Sequence, residues 1–431
     1  MKLARQIERY IPDRVLELLR HISQQATEQG WKAYLVGGVV RDLFLGYPSF
    51  DLDIVIEGDA VKLAEQVAEM GHAKLLARHR FGTAKLKCED FTLDLATARK
   101  ETYARPGALP TVAPGTLRDD LFRRDFTINA MAVSLAANDY GELVDPYQGK
   151  SDLDQGVIRI LHPRSFIDDA TRILRAFRYE QRFGFELEAE TAKLLKRDIR
   201  MLDTISGDRI RHELELILRE KRPELPVNRL GEVGALQTIC PSLSGNGWIA
   251  RAFRAARRLK KTTQLLPLYF CLLIYSLNQK ELDYFIARLN TSTKLSQAMR
   301  DTLGLKNKLT LLDNPSLRPS EVYYLLSKYE IVALQANLIA CDSSTIRRHL
   351  QLFLTKLRYA KTSLDGEDLK KLGIPAGPEM GDILQALHRA KLDREVSTRA
   401  EERRLALSLL ISQKGNGGSR RKRASKNAPP R

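Results

Sequence analysis

Strand-like and helix-like patterns divide this chain into two parts, and this division constrains the fold more than any other feature. In the first 160 residues, short apolar or alternating segments such as 34–36 and 51–56 are interspersed with helical patterns. From about Ser165 onward the helical period dominates and strand patterns nearly disappear. The sequence therefore predicts an α/β head that is followed by an all-α remainder.

The charge of the chain indicates the class of partner. Lysine and arginine outnumber aspartate and glutamate by 70 to 53, which gives a formal net charge of +17. The last segment, 414–431, holds seven basic residues and no acidic one, and its lack of large apolar side chains predicts disorder. A surplus of this size favours a polyanionic partner, either a nucleic acid or an anionic membrane surface.

The apolar pattern argues against the membrane alternative. The longest nearly uninterrupted apolar run, residues 265–277, includes Pro267 and is shorter than the ~20 residues that a spanning helix needs. Charged residues occur throughout the N-terminal segment, whereas the core of a signal peptide is uncharged. Four scattered cysteines lack metal-ligand spacing: Cys88, Cys240, Cys271 and Cys341. We therefore expect a cytoplasmic protein with reduced cysteines and no membrane partner.

A pair of carboxylates follows a Gly-Gly turn in the predicted head. Asp51 and Asp53 are two residues apart on a predicted strand, so both side chains should project from one face. Two negative charges this close are costly unless a cation lies between them. Upstream, Gly37-Gly38 would let the backbone approach phosphates, and Arg41 could reach the same anion. This order predicts two Mg²⁺ ions about 4 Å apart, which would activate a hydroxyl and stabilise a leaving pyrophosphate.

Asp94 is the predicted third catalytic carboxylate. It alternates with leucines in segment 91–96, which is predicted to form a hairpin with segment 83–87. Asp-x-Asp pairs are also frequent on solvated strand edges, so their spacing alone is weak evidence of metal binding. The order of the Gly-Gly turn, the Asp-x-Asp strand and a further strand aspartate favours a catalytic metal site.

Five sequence blocks follow one another across about half of the chain. They are Tyr34-Leu-Val-Gly-Gly-Val-Val-Arg-Asp42 with Asp51-Leu-Asp53, Arg123-Arg-Asp-Phe-Thr-Ile-Asn-Ala-Met-Ala132, Asp145-Pro-Tyr-Gln-Gly149, Asp168-Asp-Ala-Thr-Arg-Ile-Leu-Arg-Ala-Phe-Arg178 and Gly207-Asp-Arg-Ile-Arg-His-Glu213. These blocks resemble the class II tRNA nucleotidyltransferases and bacterial poly(A) polymerases. The resemblance implies a polymerase-β-like nucleotidyltransferase head at 1–160, a helical neck with a base-selecting helix at 161–225, and a helical, tRNA-binding body and tail at 226–413. The basic segment 414–431 follows them.

The fourth block contains two side chains suited to reading a base. Asp169 and Arg172 are i and i+3 on a predicted helix, so their ends can lie side by side. A carboxylate accepts and a guanidinium donates, which matches the exocyclic amine and ring nitrogen of both cytosine and adenine. Uracil and guanine present a carbonyl oxygen and a ring N–H at these positions, so neither hydrogen bond can form. Sites that hydrogen-bond their ligand in this way reject wrong ligands by as much as ~10⁴–10⁵-fold. The same spacing also suits an ion pair on a solvated helix face.

The resemblance adds further nucleotide contacts to this pair. It implies nucleotide binding by three more arginines: Arg124, Arg175 and Arg178. Arg123 could take the place of Arg124 as the nucleotide contact. Asp125 and Asn129 of the second block are expected to support the pocket.

The resemblance implies an enzyme that adds CCA, or only the terminal A, to the 3′ end of tRNA from ATP and CTP with Mg²⁺. A poly(A) polymerase is the nearest alternative, but Arg80-Phe-Gly-Thr stands where those polymerases carry a Gly-Arg-Arg-Phe-like signature. A CC-adding enzyme is disfavoured because segment 99–118, whose prolines and glycines predict a long hinged loop, is intact. A non-catalytic RNA-binding protein is disfavoured because the carboxylates are retained. Full CCA addition is only slightly favoured over terminal-A addition, and the oligomeric state stays open.

Overall fold

A computed structural model describes the backbone of residues 1–48, 51–79, 82–89, 91–259 and 264–424, without the side chains of Asp51 and residues 413–424. The chain divides into two compact units. The first consists of Met1–Ala250 with Tyr284–Thr291, and the second of Arg251–Asp283 with Ser292–Arg431. All five sequence blocks fall in the first unit.

All the strands among the described residues lie in the first unit. They are β1 (Ala33–Val36), β2 (Asp51–Ile56), β3 (Lys74–His79), β4 (Thr83–Cys88), β5 (Phe91–Thr97), β6 (Arg99–Thr102), β7 (Thr111–Pro114), β8 (Ala132–Ser134), β9 (Leu143–Val144), β10 (Val157–Ile158) and β11 (Glu186–Leu187). One mixed sheet has the order β3-β4-β5-β2-β1-β8-β9, with β2 and β5 parallel and the other neighbours antiparallel. The predicted strands at 34–36, 51–56, 83–87 and 91–96 are confirmed to within one residue.

Helices occur in both units. They are α1 (Ala4–Tyr10), α2 (Asp13–Glu28), α3 (Gly38–Leu45), α4 (Ala60–Glu69), α5 (Leu117–Phe122), α6 (Gly149–Gln155), α7 (Ser165–Asp168), α8 (Thr171–Phe183), α9 (Ala189–Asp198), α10 (Gly207–Leu218), α11 (Glu224–Glu232), α12 (Ala235–Ile239), α13 (Gly247–Arg258), α14 (Leu265–Leu273), α15 (Gln279–Leu289), α16 (Thr293–Lys306), α17 (Pro319–Leu326), α18 (Ile331–Ala340), α19 (Ser344–Thr355), α20 (Gly366–Lys371), α21 (Pro378–Leu392) and α22 (Arg399–Ala424). After Ser165 the described residues form helices and one strand of two residues, β11. The predicted α/β head followed by a helical remainder is confirmed.

The sheet positions Asp53 by strand alternation. Ile54 and Ile56 are fully buried on one face of β2, and α4 packs against the adjacent β4 and β5. Val55 faces the other way and lies in a buried cluster with Leu121 of α5. Because alternate side chains share a face, Asp53 lies on the same face as Val55. There it is only partly buried.

The segment predicted as a long loop, residues 99–118, contains regular structure. β6 and β7 pair as an antiparallel hairpin, and α5 follows behind an N-terminal capping box made by Thr116 and Asp119. The loop prediction is therefore wrong except for the connection at 103–110. Prolines are compatible with this hairpin because Pro114 ends an outer strand, where a missing N–H is tolerated, and the other two lie in the connection.

Among the described residues, two buried apolar clusters lie between helices of the second unit. One cluster joins α16, α17, α18 and α19 and includes Leu305, Val322 and Leu350. The other joins α20, α21 and α22 and includes Leu369 and Leu387. Helices with one apolar face are stable only when that face is covered, so each helix of this unit depends on its neighbours.

The last helix tests the predicted disorder of segment 414–431, and the apolar run tests the prediction that the chain does not span a membrane. The backbone of α22 is helical through Ala424, within the segment 414–431 for which the sequence predicts disorder, and residues 425–431 lie outside the described residues. Most of the apolar run at 265–277 forms α14, whose inner residues are buried in the protein. Over the part of the chain that the structure describes, no helix combines the length and hydropathy needed to cross a membrane.

Candidate active site

One polar cavity of about 920 Å³ in the first unit collects most of the predicted site residues. These are Gly38, Arg41, Asp53, Arg124, Asp169, Arg172, Arg175 and Arg178. Within the described lining there are eight arginines against five carboxylates, which makes the cavity suited to a polyphosphate. The described lining does not include Gly37 or Asp94, and the side chain of Asp51 lies outside the described residues.

Gly37 shapes the cavity without lining it. Its φ of +75° is in the left-handed region that favours glycine, and any Cβ there would collide with the guanidinium of Arg124. Gly37 is thus required both for the turn that follows β1 and for the place that Arg124 occupies. Gly38 begins α3, and the residue before it makes no side-chain cap bond to the first N–H groups, which suits an anion there.

Arg41 is held firmly in place, although the sequence predicts only that it contacts an anion. It is 4% exposed, and its guanidinium donates to Asn129 Oδ1 at 2.6 Å and to Asp42 Oδ1 at 2.8 Å. The same group lies 4.7 Å from the centroid of the Phe183 ring. The arrangement fixes the charge of Arg41 beside the turn between β1 and α3.

Two of the three predicted catalytic carboxylates, Asp53 and Asp94, are neighbours. Asp53 and Asp94 are register partners on the parallel strands β2 and β5, so they lie side by side on one face. Asp94 Oδ2 accepts a hydrogen bond from Lys85 Nζ at 2.7 Å. Within the described residues, no group of three or more histidine, cysteine, aspartate or glutamate side chains is arranged to hold a metal ion. Carboxylate oxygens are nevertheless the ligand type that Mg²⁺ prefers.

Asp125 is the buried centre of a hydrogen-bond network. Its carboxylate accepts from Arg175 at 2.6 and 2.8 Å, from Asn129 Nδ2 at 2.9 Å and from the Phe126 N–H at 2.8 Å. Burial raises the pKa of Asp125, but the Arg175 charge and these hydrogen bonds outweigh it and lower the pKa to about 2. Asp125 and Asn129 therefore orient Arg175 and Arg41, as expected of supports of the pocket.

We expect Asp125→Asn to lower the free energy of unfolding by about 2 kcal/mol at pH 7, because it removes the carboxylate nearest to the half-buried Arg175 and leaves only Glu213, 3.5 Å away, as its counter-charge. Urea unfolding followed by circular dichroism measures this, and Asp154→Asn is the control because that carboxylate is exposed and pairs with Lys150 at the surface. Because folding lowers the pKa of Asp125, its ionised carboxylate stabilises the folded protein at pH values above the ordinary carboxyl pKa of 3.8. This stabilisation is lost as the pH falls to about 2. Equal losses in both variants would contradict the prediction.

The predicted base-reading pair lies in the cavity, but the prediction that both residues are on one helix is wrong. Asp169 is extended and lies between α7 and α8, with φ −140° and ψ 98°. Its Oδ1 accepts from the Thr171 N–H at 2.9 Å, so the carboxylate caps α8 from outside the helix. The same oxygen accepts from Arg209 at 2.7 Å. Arg209 is in the fifth sequence block, whose Gly-Asp-Arg start is the signal that could have identified it.

Arg172 is oriented by backbone and hydroxyl groups. It is 4% exposed, and its guanidinium donates to the carbonyl oxygen of Arg123 at 2.7 Å and to Ser165 Oγ at 3.1 Å. These bonds leave further N–H groups of the five on a guanidinium for a ligand. Arg172 and Asp169 both line the cavity and are thus fixed by separate partners.

A second group of lining residues was missed by the sequence analysis. Glu101 of β6 accepts from Arg99 at 2.9 Å, from Arg123 at 3.4 Å and from the Tyr103 hydroxyl at 2.8 Å. Burial raises the pKa of Tyr103, and the Glu101 carboxylate raises it further, so the phenol stays neutral. Asp120, fully buried, accepts from both Arg123 and Arg124. These bonds tie the β6–β7 hairpin to the second sequence block.

Comparisons with known proteins agree with this geometry. A family model described as the poly A polymerase head domain matches residues 33–159, and one described as a "probable RNA and SrmB- binding site of polymerase A" matches residues 184–245. The A-adding tRNA nucleotidyltransferase of Geobacter sulfurreducens is 35% identical over 94% of this chain and 48% of its own, so the chain spans about half the length of that relative. The A-adding tRNA nucleotidyltransferase of Halalkalibacterium halodurans is 35% identical, with 86% of each chain covered.

A solved structure extends the likeness to the fold. The Thermotoga maritima CCA-adding enzyme, solved in complex with tRNA, superposes with a TM-score of 0.76 at 29% sequence identity. The match covers 95% of this chain and 99% of that one.

Proposed function

Because the chain belongs to the tRNA nucleotidyltransferase family, we propose that it adds nucleotides to the 3′ end of tRNA. The observation that carries the proposal is the cavity itself, whose lining holds Asp53 and Gly38 together with Asp169 and Arg172. We call the first two the phosphate end of the site and the last two its base end, and a nucleoside triphosphate needs both. Its phosphates need cations and backbone N–H groups, and its base needs a donor beside an acceptor.

We put addition of the terminal A first among the products. Two relatives at 35% identity are A-adding enzymes, which supports ATP as the substrate. Full CCA addition is the second candidate because the Thermotoga maritima neighbour is a CCA-adding enzyme, and because Asp169 and Arg172 match cytosine as well as adenine. CTP is then a substrate too.

In the proposed reaction the tRNA 3′-hydroxyl oxygen attacks the α-phosphorus of ATP. The new P–O bond forms as the bond to the β-phosphate oxygen breaks, pyrophosphate leaves, and the hydroxyl proton passes to water. Asp169 accepts from the adenine amine, and Arg172 donates to the adjacent ring nitrogen. Bound by Asp51 and Asp53, Mg²⁺ would supply stabilisation of the charge on the phosphate oxygens.

The buried network orients these groups before the substrate arrives. Asp125 fixes Arg175 toward the cavity, and Arg178 lies one turn of α8 further along. Arg178 is 7% exposed, and its Nε has no hydrogen-bond partner among the described residues. A buried donor without a partner is costly, so a bound phosphate would stabilise this site.

Three tRNA acceptors test the product: one lacking CCA, one ending in C and one ending in CC, each incubated with ATP, CTP and Mg²⁺. We expect the CC-ending tRNA to gain a single A and then stop, as followed on a denaturing gel. Without a template to move along, the space for the primer end limits the product length. Extension of all three tRNAs would establish CCA addition, whereas a long ladder of adenosines would assign the chain to the poly(A) polymerases.

A further inference from the structure

A second cavity of about 530 Å³ adjoins the first. The two share four lining residues: Asp42, Pro48, Arg178 and Arg182. Asp42 and Pro48 come from α3 and the connection that follows it, next to the Gly-Gly turn and β2. Asp169 and Arg172 line the first cavity but are not in the described lining of the second. The second cavity therefore continues from the phosphate end of the site and not from the base end.

The second cavity is cationic. Its described lining carries four basic side chains: Arg178, Arg182, Lys221 and Arg222. It carries two carboxylates, and each faces a cation already: Asp42 accepts from Arg41, and Glu220 lies 3.8 Å from Arg182. Lys221 and Arg222 are exposed, so their charges meet solvent at the outer end. A cationic path thus runs from the buried Arg178 to the protein surface.

We propose that this second cavity is the route by which pyrophosphate leaves, with Lys221 and Arg222 binding it on the way. The inference rests on the proposed function, since each transfer releases one pyrophosphate when the bond between the α- and β-phosphates breaks. A volume of 530 Å³, at about 30 Å³ per water molecule, holds pyrophosphate with part of its hydration shell. A lining with four basic side chains against two carboxylates, on a path that starts at the phosphate end, suits this anionic product.

Reversal of the reaction tests the route. The full chain is given tRNA ending in CCA and inorganic pyrophosphate, and the ATP formed is measured by luciferase. We expect the double variant Lys221→Ala, Arg222→Ala to raise the KM for pyrophosphate by about tenfold. The KM for ATP in the forward reaction should change by less than about twofold, because neither residue lines the first cavity. Inhibition of the forward reaction by added pyrophosphate should weaken by the same factor.

Arg219→Ala is the matched control, since Arg219 is an exposed arginine near the end of α10 that pairs with Glu215 at 3.8 Å and lies outside the described lining. This variant should leave unchanged the KM for pyrophosphate, the KM for ATP and the inhibition by added pyrophosphate. An equal rise in the KM for ATP would make the cavity part of the ATP site, and a rise confined to the KM for tRNA would make it an RNA contact. Either result, or no change in the double variant, overturns the proposal. Failure of the wild-type chain to extend any tRNA would instead overturn the proposed function.

Discussion

Asp53→Asn is expected to lower the rate of nucleotide transfer by about a thousandfold while tRNA affinity changes by less than about twofold. The asparagine keeps the size of the side chain on β2 but removes the charge that would hold Mg²⁺. Loss of about 4 kcal/mol of charge stabilisation corresponds to this factor. Single-turnover incorporation of labelled ATP measures the rate, and filter binding measures tRNA affinity. Asp51→Asn should behave in the same way.

The control for this experiment is Asp59→Asn, the same chemical change at an exposed carboxylate. Asp59 caps α4 by accepting from the Val61 and Lys62 N–H groups, and asparagine caps equally well. Transfer should therefore stay near normal. Near-normal turnover in Asp53→Asn as well would remove metal-assisted transfer from consideration.

Asp169→Ala is expected to reduce the discrimination of ATP against GTP and UTP from about 10⁴-fold to about 10²-fold. The wrong bases are rejected because their carbonyl faces the carboxylate, and this repulsion disappears with the side chain. Arg172→Ala should also admit wrong bases. The guanidinium and the ring N–H of uracil or guanine are both donors and repel each other, and this repulsion is lost with the side chain. The ratios of kcat/KM for the nucleotides, measured on CC-ending tRNA, give the result.

Asp168→Ala is the matched control, because this neighbouring carboxylate lies 3.5 Å from Arg164 and does not line the cavity as described. It should keep the discrimination. Arg209→Ala distinguishes the positioning of Asp169 from its recognition of the base. This variant should slow ATP use because Asp169 loses a hydrogen bond, but ATP should still be preferred over GTP and UTP. If Asp169→Ala slowed all nucleotides equally, base selection by this side chain would be wrong.

The sequence by itself determined the head, four of its strands and eight of the residues that line the cavity. Side chains alternate along a strand, so Asp53 had to lie on the face of β2 opposite Ile54. Likewise, a glycine at 37 is required where φ is positive and Arg124 approaches. These properties depend on local geometry, and local geometry can be predicted from residue type and spacing.

Contacts between residues far apart in the sequence were decided only by the tertiary structure. Asp169 is extended and not helical because its carboxylate caps α8 and accepts from Arg209, which is 40 residues away. The prolines of segment 99–118 favour a loop, yet β6 and β7 pair there, and Glu101 anchors the hairpin to Arg123. Spacing in the sequence carries no information about such partners, because each bond depends on where the whole fold places a distant side chain.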